Sequence, residues 1–334
     1  MQLIDTSFYH IDHDNNQVAK VMTASHNDHL NRYVQSLLRI VTETRSKRSF
    51  AFRSETTQVR AALDLMLDSS FEEGAKTNAD RLLAVERSAQ KNYAQITEIQ
   101  KGVLFQASLM YESRPTIVVS KADHSDFLEE NELSLRKGLP LRRQLFKAMA
   151  VSFNPEKTAE TVFVMDSNRK IARYWWDTYL ELEEKYTDSY NTKQALEYIE
   201  RIILNPIKRK YPADHTILRN STIGYFRSQS TFNVEDFANS ISDYKPVNEN
   251  LETEELKSKI LSLPDRKDFD RRFSVDKTVI KKRMSSTIPL TESIDLVLKE
   301  DIRNLSKTIQ AESDKEGRKY IKIRTDEGYE RFKQ

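Results

Sequence analysis

Residues 101–121 read KGVLFQASLMYESRPTIVVSK. Val103, Leu104, Phe105, Ala107, Leu109 and Tyr111 form one apolar-rich run, and Thr116 to Ser120 form a second. Between them Tyr111-Glu112-Ser113-Arg114-Pro115 supplies a turn, so the stretch predicts two paired strands at the buried centre of the fold.

Upstream, Phe8 to Asp12 and Gln17 to Met22 flank Asp14-Asn15-Asn16, residue types that tolerate the positive φ of a short hairpin. From Asn27 the apolar positions Leu30, Tyr33, Val34, Leu37, Leu38 and Val41 step by three and four, which predicts a helix to about Arg45 that packs on the sheet. Phe50 to Phe52 suit a short strand. Val59, Leu63, Met66 and Leu67 mark a second helix, and a third runs from about Ala79 to Tyr93. Downstream of Lys121 lies a polar, acidic connection, Ala122 to Asn131, and then a stretch that Gly138 and Pro140 interrupt. Thr161 to Met165 reads as another buried strand.

At Asp166 the pattern turns helical. Ile171, Tyr174, Trp175, Thr178, Leu182 and Tyr186 outline one helix, and Ala195, Leu196, Ile199 and Ile203 another that Asn205-Pro206 should stop. Short helices follow at Val234 to Ile241 and around Leu256 and Ile260, and Ser274 suits the cap of a helix carrying Val275, Val279, Ile280 and Met284. Strands return at Ile294 to Leu298, Thr308 to Glu312 and Lys319 to Arg324, with fraying expected from Gly328 onward. The fold class expected is α+β: a mixed or antiparallel sheet with packed helices over residues 1–166, then a mostly helical region over 167–334 ending in a short β-hairpin.

The composition sets bounds on chemistry. With 334 residues the chain exceeds the roughly 250–300 at which one core stops growing, so two domains, or one domain with a helical extension, are expected. No run nears the roughly 20 apolar residues of a membrane span, and the start lacks the pattern of a signal peptide, which predicts a cytoplasmic protein without membrane insertion. There is no cysteine, which removes disulfides, thiolate metal sites and a thiol nucleophile. The six glycines are too dispersed for a dinucleotide-binding or P-loop motif, and no cofactor is expected.

Candidate sites divide by how well a plain structural role accounts for them. His10, His13, His26 and His29, with Asp12, Asp14 and Asp28, have types that ligate metals, but their turn-like setting favours solvated side chains. Glu255-Leu256-Lys257 has nuclease-like spacing inside a helical pattern, so no catalytic residue is expected. Trp175 and Trp176 fit a core or a subunit contact better than base stacking. The basic clusters carry more. Lys208, Arg209 and Lys210 follow a helix stop, Arg219 and Arg227 lie downstream with Tyr211, Tyr225 and Phe226 interleaved, and Lys277, Lys281, Lys282 and Arg283 form a second group. The net charge is only +2, so affinity for a polyanion must come from such local clustering, through counterion release at phosphates.

The order of these features, with DFDRRFSVDKTVIKKRM from Asp268, IDLVL from Ile294, YIKIR from Tyr320 and the opening FYHIDHDNNQVAKVM, resembles the bacterial nucleoid-associated protein family of NdpA. The chain departs from it in having Ser274 in place of a proline and residues 283–287 in place of a glycine-rich link. The resemblance implies a non-enzymatic protein of the nucleoid that binds double-stranded DNA as a homo-oligomer. The alternative is a DNA-sensing or partner-binding subunit of an antiviral defence assembly.

Overall fold

A computed structural model describes residues 1–22, 28–44, 47–68, 70–93, 99–128, 132–139, 146–168, 171–281 and 283–333. His26, Asn27, Arg45, Asn131, Pro140 and Lys282, all used in the sequence reading, lie outside the described residues. The fold is α+β, and the chain divides into two compact units, 1–186 and 187–334.

The central hairpin is present and longer than its apolar runs. Strand β4 (Gly102–Tyr111) pairs antiparallel with β5 (Arg114–Asp123), Tyr111 opposite Arg114. The two residues between them, Glu112 and Ser113, have φ of 48° and 64°, the double left-handed turn whose twist suits a two-residue hairpin. Around it stand β1 (Gln2–Asp12), β2 (Gln17–Lys20) and β3 (Arg48–Phe52), with β8 (Phe146–Phe153), β9 (Ala159–Asp166) and β10 (Leu182–Glu184). All are antiparallel, in the order β10-β3-β9-β8-β5-β4-β1-β2. Between β5 and β8 the chain forms a separate hairpin, β6 (Ser125–Leu128) with β7 (Leu135–Gly138), where the sequence suggested only a polar connection.

Helix covers both faces of the sheet, which explains why β4 and β5 read as near-continuous apolar runs. On one side α1 (Asp28–Glu43) lays Tyr33, Val34, Leu37, Leu38 and Val41 against Phe105, Ala107, Leu109, Val118 and Ala148. On the other, α2 (Gln58–Leu67) and α3 (Phe71–Tyr93) pack on Leu104, Ile117, Val119, Met149 and Val151. Each Val, Leu, Ile, Phe or Met among them, fully withdrawn from water, contributes roughly 1.5–3 kcal/mol before conformational entropy is charged against it. Gln106 is buried in that layer and fully engaged: its amide donates to the Ala75 carbonyl (2.7 Å) and its oxygen accepts from Asn78 (2.9 Å), pinning α3 to β4. A Cβ at Gly102 would stand 2.2 Å from the Ala122 carbonyl oxygen, so glycine is needed for the close approach of the two strands.

The segment after Asp166 is not one long helix and belongs to the first unit. Residues Tyr174–Tyr179 form a π-helical turn, Glu181 takes a φ of 55° that ends it, and β10 then pairs with β3. Trp175, Tyr179, Leu180 and Leu182 are buried in the first core, which is why contacts place the division after Tyr186 and not near 167.

In the second unit Asn205-Pro206 does not stop its helix. Helix α4 (Asp188–Tyr198) widens into a π-helical stretch, Ile199–Leu204, and continues as α5 (Asn205–Ile207). The Asn205 N–H reaches back to the Glu200 carbonyl, five residues earlier, and this wider register accommodates a proline that has no N–H to give. Helices α6 (Pro212–Ser228), α7 (Val234–Ser242), α8 (Thr253–Arg266) and α9 (Lys277–Lys281) follow, with a small hairpin of β11 (Thr231–Asn233) and β12 (Arg272–Ser274). Ser274 is therefore a strand residue. Asp276 caps α9 instead, accepting from the Thr278 N–H at 2.9 Å. The core here is aromatic: Phe232 stacks on Phe226 (5.1 Å) and on Phe273 (4.9 Å).

The chain finishes in two ribbons, β13 (Ser286–Thr291) with β14 (Ile294–Leu298) and β15 (Ile309–Ser313) with β16 (Lys319–Ile323), joined through a short helix α10 (Leu305–Thr308). Past them Asp326–Phe332 form a last helix, α11, capped by Thr325, in place of a frayed end.

Candidate nucleic-acid interface

The basic residues singled out in the sequence separate into two sets. The first is committed to the fold. The guanidinium of Arg283 reaches Glu197 (3.1 Å) and Glu200 (3.2 Å), and Arg219 shares the Glu200 carboxylate at 3.2 Å while donating to the Arg283 and Ser285 carbonyls. These bonds tie the start of the terminal ribbons to α4 and α6. Arg227 is held by Glu300 (3.0 Å) and Asp301. Lys277 donates to the Phe226 and Arg227 carbonyls, both at 2.7 Å, and to that of Gln229, so it satisfies the carbonyls that α6 leaves open at its C-terminus. Burial, and then the nearby charge of Arg227, depress the Lys277 ammonium below the ordinary lysine range.

The second set faces water. Lys208, Arg209 and Lys210 form the turn between α5 and α6, all three exposed, and among the described residues none has a carboxylate within ion-pair distance. Lys210 lies 5.0 Å from the Tyr211 ring, whose hydroxyl raises the ammonium above its usual range. Lys281 is exposed at the end of α9. The expected phosphate contacts thus differ in their neighbours: Arg219, Arg227, Lys277 and Arg283 have carboxylates or carbonyls at hand, and the turn has no carboxylate within ion-pair distance among the described residues.

Beside the turn a cleft of about 170 Å³ opens along α6, with Lys208, His215, Thr216 and Arg219 on one wall and Glu300 and Asp301 on another. His215 is 8% exposed. Burial, then the charges of Lys208 and Arg219, hold its imidazole below the ordinary histidine range.

The family of the nucleoid-associated protein YejK, NA37, matches residues 11–324. The chain belongs to this family. The match runs across both units and includes the turn, the cleft and both terminal ribbons. No curated protein matches the chain. No helix is long and apolar enough to cross a membrane among the described residues.

Other sequence candidates in this NA37 member have plain structural positions. Glu255-Leu256-Lys257 lies within α8, where Leu256 is buried, Lys257 reaches Glu254 (3.7 Å) and Glu255 pairs with Lys259 (2.7 Å). Trp175 is fully buried. His13, expected in water, is buried beside Glu86, its Nδ1 3.8 Å from the carboxylate. Among the described residues no three His, Asp or Glu side chains converge as a metal site.

What the sequence reading missed is the charged group around that glutamate. Glu86 from α3 and Lys121 from β5 are both completely buried and 2.8 Å apart. Asp123 bridges Lys121 (3.1 Å) to Lys147 (3.2 Å) from β8, and the Lys121 ammonium also donates to the Gln100 carbonyl. Burial alone would lower the Lys121 ammonium, but the Glu86 and Asp123 charges outweigh it and raise it. Lys121 is therefore a charged group inside the first core. The only signal in the sequence was a lysine ending an apolar strand run, which reads as the place where a strand meets water.

Proposed function

We propose that the protein binds double-stranded DNA with little sequence preference, does no chemistry on it, and works in the nucleoid of the bacterial cytoplasm. Membership of the nucleoid-associated family supports the setting. The observation that carries the contact is the Lys208-Arg209-Lys210 turn, three consecutive exposed cations with no carboxylate in reach among the described residues. Cations without internal partners release counterions when they meet phosphates, and binding of that kind is strong at low salt and indifferent to bases. Lys281 belongs with them by exposure. The paired residues Arg219, Arg227, Lys277 and Arg283 hold the surface in shape.

The test is duplex affinity across ionic strength. If three to four phosphates are neutralised, log K falls against log salt with a slope of about −2.7 to −3.6, and duplexes of unrelated sequence give the same line. A flat response from 50 to 200 mM salt would remove the reading.

The same reading includes self-association. The two terminal ribbons turn apolar faces toward one trough of about 850 Å³, lined by Ile217, Ile288, Leu296, Leu298, Ile309 and Ile321. Two-stranded ribbons are marginal alone, and Ile321 and Ile323 remain 48% and 44% exposed. The occupant is a second copy of the chain, whose helix α11 offers Tyr329 and Phe332, exposed three residues apart on one face. Sedimentation should show a dimer that Tyr329→Ser with Phe332→Ser converts to monomer. A monomeric parent protein would end this part of the proposal.

A further inference from the structure

The cleft along α6 has a property that the turn lacks. His215 is more than nine-tenths buried, lines the cleft, and its ring makes no hydrogen bond to any described residue. Its ring nitrogens are not among the buried unpartnered atoms of the described residues, so they open onto the cleft, where a ligand can reach them. The positive charges acting on the ring are those of Lys208 and Arg219. The negative charges across the cleft, Glu300 and Asp301, are both engaged by Arg227, while Glu200 is shared by Arg219 and Arg283. The space beside the imidazole is thus walled by one exposed ammonium, one guanidinium held by its own partners and one ring that bonds to no described residue.

We propose that the Lys208, His215 and Arg219 cleft is a pocket for a phosphate group, taken either from the nucleic-acid backbone or from a free 5′ end. A phosphate there accepts a charge-assisted hydrogen bond from Lys208, lies in the field of the Arg219 guanidinium, which stays on its own partners, and gives the imidazole a partner that no described residue supplies. Its charge also reverses the local field, so His215 takes up a proton as the anion enters. A volume of about 170 Å³ admits a phosphate with part of its sugar, and it is several times the roughly 30 Å³ share of one water molecule. The inference deepens the DNA reading and rests on it for the identity of the polymer.

His215 is the one histidine of the second unit, the other five of the chain falling before residue 187. Its ring signal in histidine NMR spectra can be assigned by its loss in His215→Gln. Inorganic phosphate added to the full chain at constant ionic strength should move that signal saturably toward the protonated position. Lys208→Gln should weaken the apparent affinity about tenfold, the value of one charge-assisted hydrogen bond. Two duplexes, with 5′-phosphate and with 5′-hydroxyl ends, separate the sources. A shift with both assigns the pocket to the backbone, and a shift with the phosphorylated one alone assigns it to chain ends. If neither inorganic phosphate nor either duplex moves the signal, or chloride moves it equally, the pocket is refuted. Anisotropy on the same samples keeps the two readings apart. A duplex that binds without moving His215 leaves DNA binding standing and removes the pocket, whereas a phosphate response without duplex binding does the reverse.

Discussion

Lys121→Met should destabilise the first unit by about 3–5 kcal/mol, the range for breaking a buried ion pair from one side. The side chain is completely buried and faces Glu86 and Asp123 at 2.8 and 3.1 Å. Its removal leaves the buried Glu86 carboxylate with only the His13 ring at 3.8 Å, and Asp123 with only Lys147 at 3.2 Å. Both tryptophans lie in this unit, so their fluorescence in urea reports its unfolding. Glu86→Gln combined with Lys121→Met should recover a large part of the loss, because a neutral amide costs far less to bury than an unpaired charge. The sign of the pH response follows from the same argument. In Lys121→Met the Glu86 carboxyl is pushed upward by burial with no ammonium to oppose it, and a group raised in the folded state favours folding at acid pH. Its contribution is lost as pH rises through the folded value, so the deficit against the parent protein widens from pH 5 to pH 8. A single variant within about 1 kcal/mol of the parent at neutral pH would mean that the network is hydrated and not part of the core.

The legible parts of this molecule were those where a local pattern and the tertiary context agreed. Helix α1 is amphipathic and buries the apolar stripe its spacing marks. The β4–β5 hairpin has apolar runs on both sides of a tight turn. Where the context overrode the local pattern, the reading went astray. Asn205-Pro206 looks like a stop because an α-helix cannot satisfy a proline, yet a π-helical stretch can. Leu182 sits at helical spacing from Trp175, but the left-handed Glu181 turns it into a strand at the sheet edge. Strand β8 went unnoticed because it is buried on both sides and shows no alternation, directly after a basic stretch. The site suffers from a related gap. Sequence shows which residues are positive, and only the fold shows which carboxylates meet them. Arg283 and Arg219 converge on Glu200 from positions 83 and 19 residues along the chain, a pairing that no local spacing encodes.

That separation makes the two sets of cations respond differently to neutralisation. Lys208→Gln, Arg209→Gln and Lys210→Gln together remove three charges from a turn with no ion pair to break among the described residues, so the fold should be unchanged. If each charge meets one phosphate, the salt slope of duplex binding flattens by about 2.7, and the advantage of the parent protein over the variant shrinks about 40-fold between 50 and 200 mM salt. Arg283→Gln should do the opposite. It leaves the Glu197 and Glu200 carboxylates without that cation, so the loss appears as lower stability of the second unit, with the salt slope of the remaining folded protein nearly unchanged. The comparison separates a contact surface from its support. If the triple variant keeps the parent's slope, the turn is not where phosphates are met.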